Sequence, residues 1–523
     1  MSRSGTEDPP AAESPAPSGR RLTARLARAG FADPVAAGAL LTAPALRLWD
    51  PERNEAADPA AAAVLSALGR TAAPDQALAV LAELAGSEAG PELIAELRES
   101  AEYRTRLLGV LGASQALAEH LCAHPRDALL LRGPADQLPG VDSAAGRLAA
   151  AVGASAADPV TGTAGTPARL TGLPAVRALR AAYRRELLLV AARDLAGELG
   201  LQQVTEALAD LAGFVLAAGL AVARAGLPDG AAGCRLAVIG MGKAGGRELN
   251  YISDVDVVFV CEPVADAGGA GTDPDTDPSH PDALATATRL AAETIRICGQ
   301  AAWEVDAALR PEGKSGALVR TLASHEAYYK RWASTWEFQA LLKARPIAGD
   351  LELGERYVQT LSPLVWTASQ RPDFVADVQA MRRRVVEHLP ADLVEREIKL
   401  GPGGLRDVEF AVQLLQLVHG RADPALQARA TLPALAALRD GGFVGRDDAV
   451  SLADAYEFLR ATEHRLQLMK LRRTHLVPDD ETAVLRLARS LGFRPDSRGD
   501  AVAVWRSEWA LHAREVRRLH EKL

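Results

Sequence analysis

Between Leu236 and Val260 the chain reads LAVIGMGKAGGRELNYISDVDVVFV, and this stretch restricts the fold more than any other. An apolar run is followed by a glycine-rich turn, a short polar stretch and a second apolar run with Asp254 and Asp256 at its mouth. Short apolar runs bounded by turn residues predict two buried strands. Gly240, Gly242 and Gly245 match the glycine spacing of a dinucleotide-binding unit, and Glu262 matches its ribose-holding acid. That unit needs a helix of about three turns between its strands. The segment KAGGRELNYISD, with Gly245 and Gly246 in succession, has room for only about two. The dinucleotide reading also leaves both aspartates without a role.

In an extended segment alternate side chains share a face, so Asp254 and Asp256 point one way and Val258 and Val260 carry that face into the core. Two carboxylates at a strand mouth repel each other and resist desolvation unless a divalent cation sits between them and a phosphate. The plain alternative is that they cap loops or pair with an arginine such as Arg247. A third acid comes from AWEVDAALRPEG, where Glu304 and Asp306 alternate with Val305 and Ala307 and predict another strand, one able to bring Asp306 beside the first pair. Three convergent carboxylates suit two magnesium ions and an in-line transfer, and a glycine turn lets backbone N–H groups approach phosphates. A Walker loop is excluded: Gly313-Lys314-Ser315 supplies its end, but the glycine required five residues before Gly313 is Ala308.

The rest of the chain predicts helices. Alanine and leucine dominate and aromatic residues make up only 4% of 523, which favours helical packing over an all-β fold. The expected class is α+β, predominantly helical, with a small mixed sheet flanked by N-terminal and C-terminal helical bundles. A Pro- and Ser-rich tail without an apolar signal core is expected at 1–22, a helical region at 23–151, and a Gly- and Ala-rich linker at 152–175. The catalytic domain is expected at 176–360, with a disordered Gly/Asp/Pro loop at 262–281, and a helical bundle at 361–523. WRSEWALHAREVRRLHEKL stops inside a basic amphipathic helix, as though the chain were cut from something longer. The net charge of −8 offers no global field for nucleic acid or an anionic membrane. The longest apolar run, Leu211 to Ala223, is short of the ~20 residues that span a bilayer and reads as a buried helix. Four cysteines without metal or redox spacing suit a reducing cytoplasm. His120, Cys122 and His124 form an H-x-C-x-H run, but on a helix they share no face.

GASQALAEHL, LRAAYRRELLLVAARDL, GMGKAGGRELNYISDVDVVFV, VDAALRPEGKSGALV, TWEFQALLKARPIAGD, REIKLGPGGLRDVEFAVQ and FLRATEHRLQLMKLRRTHLVP follow one another along roughly residues 100 to 480. With these blocks the chain resembles the bacterial glutamine synthetase adenylyltransferase/adenylyl-removing enzyme family, within the DNA polymerase β-type nucleotidyltransferase superfamily. That family carries two tandem units, the N-terminal one removing AMP from a glutamine synthetase tyrosine and the C-terminal one attaching it. One copy of each block is present, so the resemblance implies the N-terminal, adenylyl-removing half, acting by phosphorolysis.

It further implies Asp254, Asp256 and Asp306 as catalytic magnesium ligands for two ions, with ADP or ATP and inorganic phosphate as substrates or products. Gly245, Gly246 and Ser253 become nucleotide-phosphate contacts. Arg310, Lys343 and Arg345 become phosphate or nucleotide ligands, since an anion site needs positive charge beyond its metals. KLGPGGLRDVEF opens a helix after a glycine-proline-glycine turn and would present Lys399 or Arg406 to the incoming phosphate. For Asp407 a favourable place near the helix N-terminus is the simpler account. The expected partners are glutamine synthetase and a PII-type nitrogen-signalling protein, with glutamine as effector and neither nucleic acid nor membrane. Ala308 stands where many relatives have an arginine, two residues after the third aspartate. Two other functions are compatible with the same residues: a docking module for glutamine synthetase and PII, and adenylyl transfer from ATP. The related uridylyltransferases fit the GRELNYISDVD and KLGPGGLRDVEF blocks less well.

Overall fold

The computed structural model describes residues 17–133, 141–155, 167–228, 233–264, 280–387 and 389–522. Residues 1–16 of the expected tail, the middle of the expected linker and most of the loop expected at 262–281 lie outside the described residues. The fold is α+β, mostly helical, with one small mixed sheet.

The first unit, ending at Arg132, is helical, apart from a short hairpin of β1 (Trp49–Asp50) and β2 (Glu55–Ala56). Its helix starts are written in the sequence. Asp33 and Asp58 each precede a proline at the first helical position and accept the N–H of Ala36 and Ala61. Ser100 and Ser114 cap the helices Ala101–Ala113 and Gln115–Ala123 by accepting the N–H of Tyr103 and Leu117. His120 bonds Asp127 at 3.0 Å. Residues 17–22, expected in the tail, begin the helix Pro17–Arg28.

The second unit runs from residue 133, so the division falls after Arg132 and not at the stretch 152–175. The reason is packing: Val141–Ala151 lies against the long helices Gly172–Leu195 and Leu201–Ala225. The described ends of the expected linker are tied down too, Leu170 N–H donating to Val152 O and Ala168 N–H to Ala221 O, each at 3.1 Å. Leu201–Ala225 is long and apolar enough to cross a membrane by composition, and about two thirds of its apolar window is buried within the protein.

Five strands form the sheet: β3 (Cys234–Gly240), β4 (Val255–Pro263), β5 (Val305–Asp306), β6 (Val319–Thr321) and β7 (Arg345–Gly349). The order is β5-β4-β3-β7, with β6 also on β4. β3 pairs antiparallel with β4, placing Gly240 opposite Val257 and Cys234 opposite Pro263. A dinucleotide-binding unit needs those two strands parallel, so the antiparallel register removes that reading. Glu262 is instead paired with Arg356 at 2.8 Å. β5 and β6 both run parallel to β4. The strand expected around Asp306 is real but only two residues long, and the chain leaves it in a turn that ends in a short 3-10 helix, Gly313–Ser315.

Ala237, Ile239, Val258 and Val260 bury one sheet face in a core shared with Leu353, Tyr357 and Phe410. The helix His280–Ala301 packs on β3, β4 and β6. A second core, around Trp505, joins the helices Leu405–His419, Thr431–Asp440, Arg446–Lys470, Glu481–Ser490 and Ala501–Lys522. The helix Leu351–Thr367 runs through the boundary expected at 360–361 and packs on β3 and β7, so sheet and C-terminal helices share the first core.

Candidate active site

Backbone pairing builds the acidic centre. In the parallel ladder of β4 and β5, Asp256 is the register partner of Asp306, and Asp254 precedes Asp256 by two residues at the mouth of the same strand. Asp306 also accepts the backbone N–H of Ala308 at 2.7 Å. That contact uses the main chain, so it is indifferent to the side chain at 308. The arginine that meets the acids is not Arg247, which bonds Asp210 at 2.6 Å, but Arg473, whose guanidinium lies 2.5 Å from Asp254.

Burial, together with the charges of Asp306 and Asp254, pushes the Asp256 carboxyl up to about 6, against the opposing pull of Lys399 and Arg406. A carboxylate raised by burial and by its own kind is one that a cation would relieve. Among the described residues no three His, Cys, Asp or Glu side chains converge as a ready-made cation cage. Magnesium needs none, because it takes one or two carboxylates and completes its shell with water and substrate phosphate. The all-oxygen pair Asp256 and Asp306, with Asp254 beside it, fits that ion.

The glycine turn is a single helical turn, Gly242–Gly245. Gly242 has φ +49°, and a side chain there would strike the Asp256 carboxylate at 2.7 Å. At Gly245 a Cβ would lie 1.9 Å from Lys343 O and 2.4 Å from Gly240 O. Gly245→Ala is therefore expected to destabilise the fold by more than about 3 kcal/mol, beyond ordinary overpacking because the obstacle is backbone. Urea unfolding measures it, and an unchanged midpoint would refute the packing account.

The turn corrects two expectations about phosphate contacts. The N–H groups of Gly245 and Gly246 donate to Met241 O and Gly242 O at 3.0 Å, so they close the turn and do not point at a ligand. What these glycines provide is close approach. Arg345 donates to the carbonyls of Gly245 and Ala244 at 3.1 and 3.0 Å, clamping the turn from β7. Lys343 is buried, its ammonium held by Glu248 and by Thr431 Oγ1 at 3.2 Å. Arg310 donates to the carbonyls of Ala307, Lys314 and Gly316 and staples the turn after β5. The two arginines thus brace backbone near the acids, because unpaired carbonyls of tight turns need donors as much as phosphates do, whereas Lys343 is held by a buried glutamate and a hydroxyl.

Lys399 and Arg406 carry positive charge near enough to lower the Asp256 carboxyl against its burial. Asp407 closes the glycine-proline-glycine turn between them, accepting Gly403 N–H at 2.7 Å and Arg382 Nε at 2.6 Å. Arg406 lies 3.3 Å from Glu409. Burial alone would raise the Glu409 carboxyl, but Arg406, Lys243, Lys343 and Lys399 hold it down at about 2. Ser253 sits between the polar stretch and Asp254, partly exposed.

Four residues of this centre carry no role in the sequence reading: Lys243, Glu409, Glu463 and Arg473. Lys243, in the glycine turn, bonds both oxygens of Glu463 at 3.2 and 3.1 Å and Asn250 Oδ1 at 3.3 Å. Burial depresses its ammonium to about 7, with Glu463 opposing. Glu463 is fully buried between Lys243, Arg460 at 3.3 Å and His475 at 2.9 Å. Lys243 and Arg460, with the hydrogen bond to His475, keep its carboxyl well below the usual range despite burial. The available signal was an Arg-x-x-Glu spacing on one helix, which more often marks a solvated face.

A family model described as glutamate-ammonia ligase adenylyltransferase matches residues 104–360, and one described as GlnD PII-uridylyltransferase matches residues 374–523. The chain is 54% identical over 518 residues to a Streptomyces avermitilis protein named bifunctional glutamine synthetase adenylyltransferase/adenylyl-removing enzyme. That alignment covers 97% of this chain and 47% of the relative. Proteins of the same name from Streptomyces coelicolor and Mycobacterium tuberculosis are 52% and 48% identical, covering 97% and 95% of this chain and 48% and 47% of their own lengths. The chain thus spans about half the length of the curated relatives it matches, and they are nucleotidyltransferase enzymes by name. With the paired aspartates, the glycine turn and this similarity together, the chain belongs to the glutamate-ammonia ligase adenylyltransferase family.

Proposed function

We propose that this chain removes AMP from an adenylylated tyrosine of glutamine synthetase by phosphorolysis. The observation that carries the reading is the Asp256–Asp306 register pair, with Asp254 beside it and the charges of Lys399 and Arg406 lowering the Asp256 carboxyl. Asp254, Asp256 and Asp306 would hold magnesium, two ions in the full arrangement, which neutralises charge on the attacking and leaving oxygens. Lys399 and Arg406 draw inorganic phosphate to the mouth of β4, where one of its oxygens bonds to the AMP phosphorus. The bond from phosphorus to the tyrosyl oxygen breaks, its electron pair stays on that oxygen, and a proton joins it. ADP and free tyrosine result. Ser253 is proposed as a further phosphate contact. The glycine turn, clamped by Arg345, leaves the mouth of β3 and β4 open to a nucleotide.

The names of the relatives support glutamine synthetase as substrate, and the uridylyltransferase model over 374–523 supports contact with a PII-type protein. Glutamine as an effector belongs to the same proposal. The chemistry is reversible in kind, so direction is the point to test. With magnesium, the chain is expected to release ADP from AMP-modified glutamine synthetase only when phosphate is added, and to leave unmodified synthetase with ATP unchanged. Incorporation of AMP in the second assay alone would reverse the assignment.

A further inference from the structure

The helix Arg446–Lys470 ends abruptly. Leu471 takes φ +46° and ψ +52°, a left-handed conformation that is costly for a branched side chain and is usually left to glycine. Two residues later Arg473 reaches Asp254. The pair is unequal: the Arg473 side chain is 53% exposed and that of Asp254 20%. An ion pair so open to water adds at most about 1 kcal/mol to stability. The left-handed turn that aims it costs a comparable amount. Stability therefore does not explain why an arginine is delivered here.

The segment from Leu471 to Val477 is held firmly just after that arginine. Ile398 N–H donates to His475 O at 3.0 Å, Val477 N–H donates to Arg396 O at 2.9 Å, and Arg396 Nε donates to Val477 O at 2.7 Å. These bonds tie the strap to the segment that carries Lys399. His475 is anchored to the buried Glu463, which also grips Lys243 of the glycine turn. One carboxylate thus registers the strap, the Lys399 segment and the nucleotide turn against each other.

We infer that Arg473 is a further catalytic residue, a guanidinium that binds the non-bridging oxygens of the phosphoryl group lying against Asp254 and Asp256, and that Glu463 is its positioning residue. This rests on the proposed reaction at the aspartates. A planar fork suits two phosphate oxygens, where an ammonium offers only a point charge. Lys399 and Arg406 act on Asp256 through their charge, and Arg473 meets Asp254 directly from the strap.

Calorimetric titration of magnesium and ADP into the full chain, alongside the phosphorolysis assay, tests the assignment without relying on activity alone. Arg473→Ala is expected to weaken ADP about tenfold and lower kcat/KM about 100-fold with an unchanged melting temperature, and Arg473→Lys to recover only part of either. Full ADP affinity and full activity in Arg473→Ala would overturn the inference while leaving the function intact. A lowered melting temperature with unchanged ADP affinity would mark the arginine as structural and also overturn it. Failure of the unaltered chain to bind ADP with magnesium would instead remove the proposed reaction, and this inference with it.

Discussion

Asp256→Asn is expected to remove phosphorolysis, by about 1,000-fold or more, while making the protein harder to unfold above pH 6. The two effects have one origin. Asp256 lies beside Asp306 in register and close to Asp254, and burial with these neighbours raises its carboxyl to about 6. In the unfolded chain it would titrate near 3.8. Between those values the folded state binds more protons than the unfolded state, so stability falls as pH rises through this window. The rise corresponds to up to about 3 kcal/mol of stability lost by pH 7. Asparagine keeps the shape and removes the charge, so the pH 4–6 slope flattens. It also removes the ligand on which charge neutralisation of the transferred phosphoryl group depends, a contribution of several kcal/mol, and each 1.4 kcal/mol is tenfold in rate. Urea midpoints across pH 4–8 and the phosphate-dependent release of ADP are the two measurements. A variant that stays active, or one that loses stability at pH 7, would contradict the placement of this carboxylate.

The second large effect belongs to Glu463. Truncating it to alanine leaves Lys243, Arg460 and His475 around the space of a fully buried carboxylate. Breaking a buried ion pair from one side costs about 3–5 kcal/mol, because the remaining charges lose the carboxylate that offsets their burial. Glu463→Ala is therefore expected to lower the unfolding midpoint of the second unit steeply. Glu463→Gln retains the volume but not the charge and is expected to lose a smaller part. Any activity that survives should show a weaker hold on phosphate, since the strap and the Lys399 segment lose their common anchor. A midpoint within about 0.5 kcal/mol of the unaltered chain, the size of a surface change, would show that the network is not closed as described.

The sequence displayed the acidic centre because its signals are local. Asp254 and Asp256 are two apart on one strand, and VDAAL repeats the pattern of an acid between apolar neighbours. A strand period of two then decides which side chains share a face. The mostly helical class followed as directly from alanine, leucine and capped starts such as Asp33-Pro34. Cations were harder to assign. Arg345, Lys343 and Arg310 are near the acids, but their donors serve carbonyls and a buried glutamate. Charge near an anion site does not reveal what each donor faces. The partners of Glu463 were beyond reach for another reason: Lys243 lies 220 residues away, and nothing in a helical spacing points across that distance.

That separation also bears on the order in which the protein acquires its working parts. The β3–β4 pairing closes a short loop, whereas the bond from Lys243 to Glu463 closes one of 220 residues. Loop closure costs about 0.6 kcal/mol for each doubling of length, and long-range contacts are made only after that entropy is lost. The β3–β4 pairing is thus expected to form before the strap is brought into register with the glycine turn. Local opening reverses the order, so release of the strap withdraws Arg473 from Asp254 while the β3–β4 ladder stays paired.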